Sequence, residues 1–250
     1  MSAQFIEVTR VDAVCVVRLC REEKLNALSA AVERELQEAL TGDAVRRSAC
    51  VVFTGSGRAF SAGADITEFA DRAPEAIAAY YQETGAVYEQ IAALPQPTVA
   101  AIHGYCLGGG LELALATDLR IADATALFAF PEVALGILPS SGGLYRATRL
   151  LGPGRAKQLL LLGERISAAE AFALGLVTEV APAGEAHARA LEVAARLAAL
   201  PPLALSVTKQ AIDAVANTPR DAALLIERLA YGMLAQTDAA KNAADAFDKP

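Results

Sequence analysis

Short β-branched runs alternate with stretches of helical periodicity over the first 135 or so residues, and few fold classes accept that order. VCVVRL (14–19), SACVVFT (48–54), TVAAIH (98–103) and LRIAD (119–123) read as strands, and the first three are apolar enough for burial on both faces. Between the first two, Ser29 precedes AAVERELQEAL, where Val32, Leu36, Ala39 and Leu40 recur at helical spacing, so a helix begins there with Ser29 as its N-cap. Residues 75–94 read as a second, longer helix ended by Pro95 and Pro97. Strand, helix, strand in one sheet implies a right-handed crossover, and the predicted class is α/β.

The ends of the chain depart from this alternation. Residues 5–10 and 14–19 form an N-terminal hairpin through Val11-Asp12-Ala13. LFAF is a short strand stopped at Pro131-Glu132, and beyond 135 the pattern is almost wholly helical, with helix starts at Pro153 and Ser167. Pro201-Pro202 divides a core domain, 1–200, from a helical C-terminal lobe, 201–250.

A chain of 250 residues that is 54% hydrophobic can bury one large core plus a small lobe. Its net charge of −7 opposes phosphate backbones and anionic lipid, so nucleic acid is not an expected partner. MSAQFIEVTR lacks the basic and apolar regions of a signal peptide, and apolar runs break before spanning length, which predicts a soluble cytoplasmic chain with no membrane partner. Cys15, Cys20, Cys50 and Cys106 sit in apolar, strand-like stretches without CxxC spacing and read as buried reduced thiols; His103 and His187 are too few to complete a zinc site. No metal is expected, and His103 reads as a buried, hydrogen-bonded structural residue.

Chemistry concentrates on two loops. Gly108-Gly109-Gly110, between a strand and a helix, presents unpaired N–H groups at the positive helix end, where negative charge is stabilised. Glu112 lies in the first turn of that helix, and Glu132 follows at a strand mouth, its backbone fixed by Pro131. Two carboxylates at a donor site can share acid and base roles. On spacing alone they read equally as a dipole-complementing residue and a solvated one. The second loop, Phe60-Ser61-Ala62-Gly63-Ala64-Asp65, is small enough for close approach to a ligand, with Asp65 capping the turn that begins at Ile66. Ala59-Phe60-Ser61-Ala62-Gly63 lacks the first glycine of a nucleophile elbow, and no dinucleotide or triphosphate loop occurs.

REEKLNALS, AFSAGADITEF, AIHGYCLGGGLELALATDLRIA and FPEVALGILPSSGG, in this order, resemble the crotonase (enoyl-CoA hydratase/isomerase) superfamily over nearly the whole chain. The resemblance implies repeated ββα units forming two roughly perpendicular sheets, a C-terminal lobe that builds trimers and covers the site, and a homo-oligomer, either a trimer or a hexamer made as a dimer of trimers. It implies an acyl-CoA thioester substrate, with coenzyme A as part of that substrate and no further cofactor. The thioester oxygen would accept from the N–H groups of Ala64 and Gly109, and Glu112 and Glu132 match the two hydratase glutamates that add water across a 2-enoyl double bond in fatty-acid β-oxidation. By the same matching, Lys24, Leu25, Asn26, Ala62, Gly63, Asp65, Ile66 and Gly108 fall along the CoA path, with Lys241 and Lys249 toward its phosphates. Ser140 stands where many hydratases carry glycine beside the reacting carbons. Residues 71–81 and the C-terminal lobe would wall the acyl pocket. The alternatives are an isomerase or a hydratase of a ring or aromatic-pathway acyl group and, from another class, a non-catalytic RNA-binding relative, against which the acidic charge and both glutamates argue.

Overall fold

The computed structural model describes residues 4–68, 73, 75–76, 79–80 and 85–247, and side chains through residue 244. Strands β1 (Ile6–Val11) and β2 (Val14–Leu19) form the antiparallel hairpin, turning at Asp12 with φ 53°. β3 (Cys50–Gly55), β5 (Thr98–Ile102), β7 (Leu119–Asp123) and β10 (Glu179–Ala181) extend it in parallel, giving the order β1-β2-β3-β5-β7-β10. A second sheet holds β4 (Ala59–Ser61), β6 (Tyr105–Leu107), β8 (Leu127–Ala129) and β9 (Ile166–Ser167), in that order. Each successive pair, β3-β4, β5-β6 and β7-β8, therefore leaves the first sheet and enters the second, the repeated ββ step of the expected fold.

The helices are α1 (Ala30–Thr41), α2 (Asp43–Arg46), α3 (Ala86–Ala92), α4 (Gly109–Ala116), α5 (Gly143–Leu162), α6 (Ala168–Ala173), α7 (Ala186–Ala198), α8 (Pro202–Val215), α9 (Arg220–Leu234) and α10 (Asp238–Phe247). Ser29 caps α1 by accepting from the Val32 N–H at 3.3 Å. The inner strands β2, β3, β5 and β7 are buried on both faces, while the edge strand β1 is largely exposed. Cys15, Val17, Val51 and Phe53 pack with α1, α3 and α4, whereas Val14, Val16, Cys50 and Val52 pack with Ala190 and Ala194 of α7.

Several expectations need correction. Residues beyond 135 are not all helical: β9 pairs antiparallel with β8, and β10 adds a parallel edge to β7. Two- and three-residue strands carry too little periodicity to read alone, and only their partners make them strands. The same applies to β4 and β6, which the sequence presents as loop. Within 75–94, residues 75–76 and 79–80 are helical and α3 is Ala86–Ala92; residues 77–78 and 81–84 lie outside the described residues, as do 71–72 and 74, which with 77–78 and 81 belong to the segment expected to wall the acyl pocket. Pro153 does start a helix, since Gly152 (φ 72°) breaks α5 immediately before it, and Ser167 opens α6 with a reciprocal Ser167–Glu170 cap. Cys15, Cys50 and Cys106 are buried free thiols; Cys20 is only partly buried. His103 is likewise half-buried, its Nε2 lying 3.2 Å from the Gly57 carbonyl. α8 leaves α7 at 106° across Pro201.

Candidate active site

The carboxyl ends of the second sheet build the site. β4 ends at Ser61, β6 at Leu107 and β8 at Ala129, and the residues that follow are Ala62–Asp65, Gly108–Gly109 and Phe130–Glu132. Three strands of one parallel array thus deliver both candidate donors and one candidate carboxylate to a single edge.

The Ala64 donor is made by an isolated bridge. Leu28 donates to the Gly63 carbonyl at 2.8 Å and accepts from the Asp65 N–H at 2.8 Å, so the N–H of the intervening Ala64 faces away from that pairing. Gly109 is the first residue of α4 and has no intrahelical acceptor. The two meet: a Cβ built on Gly109 would stand 3.3 Å from the Ala64 nitrogen and 3.5 Å from the Tyr88 hydroxyl. A Cβ on Gly108 (φ 48°) would stand 2.7 Å from Glu132 Oε1, so glycine is needed both for conformation and for that carboxylate.

Asp65 is buried, and its carboxylate holds the loop. It pairs with Arg21 at 2.8 Å and accepts from the Thr67 hydroxyl at 2.6 Å. Those contacts, the Thr67 bond first, hold its carboxyl below the usual carboxylate range. Its side chain thus caps the turn that follows Ala64, accepting from the Thr67 N–H as well. Ser61 is fully buried, donating to the Asn26 carbonyl at 2.8 Å and accepting from the Gly63 N–H, which removes it as a nucleophile.

The two glutamates occupy unlike surroundings. Glu112 is buried, and its Oε1 accepts from the N–H groups of Ser141 at 2.7 Å and Gly143 at 2.8 Å. Burial raises its pKa, opposed first by the Gly143 and Ser141 bonds and then by the Arg146 charge. Glu132 is 8% exposed and its Oε2 is buried without a hydrogen-bond partner. Burial, with the Glu112 charge adding to it, pushes its pKa up to about 7. Burial thus raises both carboxyls; at Glu112 backbone donors and the Arg146 charge oppose it, and at Glu132 the neighbouring Glu112 charge adds to it, so the two sit in unlike surroundings of the kind general acid–base chemistry uses.

Other predicted positions are more dispersed. Lys24 is exposed on the turn Glu22–Lys24, and Leu25 (φ 51°) and Asn26 (φ 56°) follow in left-handed conformations. Asn26 stabilises that geometry, its amide donating to the Ser56 and Ala59 carbonyls. The Ala62 N–H donates to the Leu25 carbonyl at 2.9 Å, which joins the two expected CoA-contact segments. Ile66 is 56% exposed beside them. Ser140 is exposed on the loop that holds Glu112. Lys241 is not brought to the site by any contact among the described residues; it pairs with Asp238 of its own helix at 3.9 Å. Lys249 lies outside the described residues.

Sequence reasoning missed the groups behind the glutamates. Ser141 and Gly143 act through backbone N–H groups, which no side-chain pattern announces. The buried trio Glu33, Tyr80 and Tyr88, in which both hydroxyls bond the carboxylate at 2.6 and 3.0 Å, was masked by ordinary helical spacing. No group of metal-ligating residues occurs among the described residues, and no single described helix is long and apolar enough to cross a membrane.

The profile of the enoyl-CoA hydratase/isomerase family matches residues 9–249. The chain belongs to that family. It is 38% identical over 256 residues to a crotonyl-CoA hydratase of Syntrophomonas wolfei, covering 99% of this chain and 96% of that one. It is 37% identical over 237 residues to a short-chain-enoyl-CoA hydratase of Clostridium acetobutylicum, covering 94% and 90%. Among solved structures, an enoyl-CoA hydratase of Bacillus anthracis superposes with a TM-score of 0.92 at 37% identity, over 98% of this chain and 96% of the other. The two-sheet architecture is accordingly the crotonase fold.

Proposed function

We propose that this enzyme adds water across the 2,3-double bond of a 2-enoyl-CoA, and that Ala64, Gly109, Glu112 and Glu132 perform it. The observation that carries this reading is the meeting of two backbone donors with two buried carboxyls of unequal surroundings. The thioester oxygen accepts from the Ala64 and Gly109 N–H groups, which stabilise the enolate that forms as the β-carbon is attacked. Each such donor is typically worth ~3–4 kcal/mol in a water-excluded site. Ionised Glu112 takes a proton from water as its oxygen bonds the β-carbon. Protonated Glu132 gives a proton to the α-carbon as the enolate collapses, leaving a 3-hydroxyacyl thioester. No cofactor enters beyond the CoA carried by the substrate, for which Lys24, Leu25, Ala62, Gly63, Gly108 and Ile66 provide the path. Ser140 lies beside the reacting carbons, and Lys241, which no contact among the described residues brings to its own chain's site, serves the phosphates of CoA held by a neighbouring protomer.

An isomerase is the second reading, favoured by the partnerless Glu132 Oε2, since one carboxyl suffices to move a proton between carbons. The test is loss of enoyl-thioester absorbance on adding a short 2-enoyl-CoA, with Glu112→Gln and Glu132→Gln each slower by ~10²–10⁴-fold in kcat. Unchanged absorbance across chain lengths refutes hydration. A Glu112→Gln enzyme that still isomerises a 3-enoyl-CoA at much of its normal rate establishes the second reading instead.

The enzyme is further proposed to be a cytoplasmic homo-oligomer of fatty-acid oxidation, a trimer or a dimer of trimers. Supporting the assembly, α8 and α9 contain no buried residue, and Leu225, Leu229 and Met233 expose one apolar stripe at i, i+4, i+8.

A further inference from the structure

Glu112 does not hold its own position; the 139–143 loop holds it, and that loop is gripped from outside the site. Arg146, on the first turn of α5, folds its guanidinium back over the loop. Its Nη1 donates to the Ser141 carbonyl at 3.1 Å and its Nη2 to Glu89 Oε1 of α3 at 2.6 Å. The fit is close enough that a Cβ on Gly142 (φ 94°) would lie 2.0 Å from Nη1, so the guanidinium occupies the space a side chain would take. The same turn is stitched by the Arg146 N–H to the Gly142 carbonyl at 2.9 Å. Ser141 is therefore held at its carbonyl by Arg146 while its N–H, with that of Gly143, holds Glu112 Oε1. On the other side, a Cβ on Gly143 would stand 2.9 Å from Glu112 Oε1, so the carboxylate has no room to retreat into α5.

We propose that Arg146, anchored by Glu89, is a positioning residue that aims Glu112 through the 141–143 loop and so fixes which of the two glutamates acts as the base. The inference rests on the hydratase reading of the site. With Oε1 held by two backbone donors, Oε2 is the atom left to meet water. The charged and titratable groups that bear on Glu112 are Glu132 and Tyr88 on the site side and Arg146 on the loop side, with Glu89 behind Arg146. Arg146 is the sole cation among these groups, and the charge that bears on Glu132 is that of Glu112. The Arg146 side chain is 12% exposed, which limits screening by solvent and salt. Arg146 thus adds to the asymmetry between the carboxyls without touching either, through its charge and through the loop whose N–H groups hold Glu112.

Two variants separate aim from charge. In Arg146→Gln the cation and the grip are both lost; the acid limb of the kcat–pH profile should move up by roughly one unit, the scale on which a near charge shifts a carboxylate. At the wild-type acid limb this costs about tenfold in kcat, with KM within about twofold, because one unit changes the ionised fraction tenfold. In Arg146→Lys the charge stays and the two-handed grip goes; kcat should fall several-fold with the limb unmoved. Thermal melting of both variants checks folding, and if Arg146→Gln does not fold, the lysine variant decides alone. A glutamine variant that loses rate with its limb in place has a merely structural Arg146 and overturns the proposal. So does a lysine variant with wild-type kcat. A wild-type enzyme that hydrates no enoyl-CoA overturns the parent reading, and this proposal with it.

Discussion

Gly109→Ala tests the donor pair with one added methyl group. Gly109 has ordinary helical backbone angles, so alanine introduces no strain, and replacing glycine at a helical position stabilises by up to about 1 kcal/mol. The added Cβ stands 3.3 Å from the Ala64 nitrogen, 3.5 Å from the Tyr88 hydroxyl and 3.6 Å from Leu28 Cδ1. Only the first is tight: the Ala64 backbone must yield by a few tenths of an ångström, which offsets part of that gain. The consequence for chemistry is different: a thioester oxygen bonded to both N–H groups needs to lie ~2.9 Å from each nitrogen, in the volume that this carbon now fills. Losing even one donor costs about 3–4 kcal/mol of transition-state stabilisation, or ~10²–10³-fold in kcat. The assay is the initial rate of enoyl-thioester absorbance loss alongside a thermal melt. The expected result is a folded enzyme with Tm close to wild type and kcat down at least a hundredfold. A folded Gly109→Ala enzyme within threefold of wild-type kcat would show that the hole is not where the oxygen binds.

Two further outcomes follow from burial. Glu132 has its folded pKa raised to about 7 from an ordinary carboxylate value, so the folded state holds the proton longer and stability falls as pH rises between those values. Glu132→Gln should therefore gain stability at pH 8, by up to about 3 kcal/mol, and gain little at pH 5; equal Tm changes at both pH values refute this. Leu229→Asp places a charge in the exposed α9 stripe, where Leu229 is 65% exposed in the single chain, and should split the assembly to monomers in light scattering. An unaltered mass would place the interface elsewhere.

Much of the first sheet was legible because its strands are long and β-branched, and a strand buried on both faces leaves a continuous apolar run. The hairpin, the Ser29 cap and the breaks at Pro153 and Ser167 were legible for similarly local reasons. The second sheet was not: β4, β6, β8 and β9 are two or three residues each, and of these only the run containing β8 reads as a strand without its neighbours. At the site, the glycine run and the two glutamates stood out, but spacing left their role open between chemistry and surface.

The sequence by itself determined the α/β alternation, the helix ends, and a helix N-terminus rich in glycine with a carboxylate in its first turn, because those depend on propensities and periods within a few residues. Tertiary structure alone decided that Ala64's N–H is left unpaired beside Gly109, since that follows from a bridge to Leu28, 36 positions earlier. It also decided that Glu112 and Glu132 differ. Each is the same residue with the same intrinsic acidity. One is met by two backbone donors and a guanidinium held by Glu89, and the other by a buried, partnerless oxygen beside a like charge.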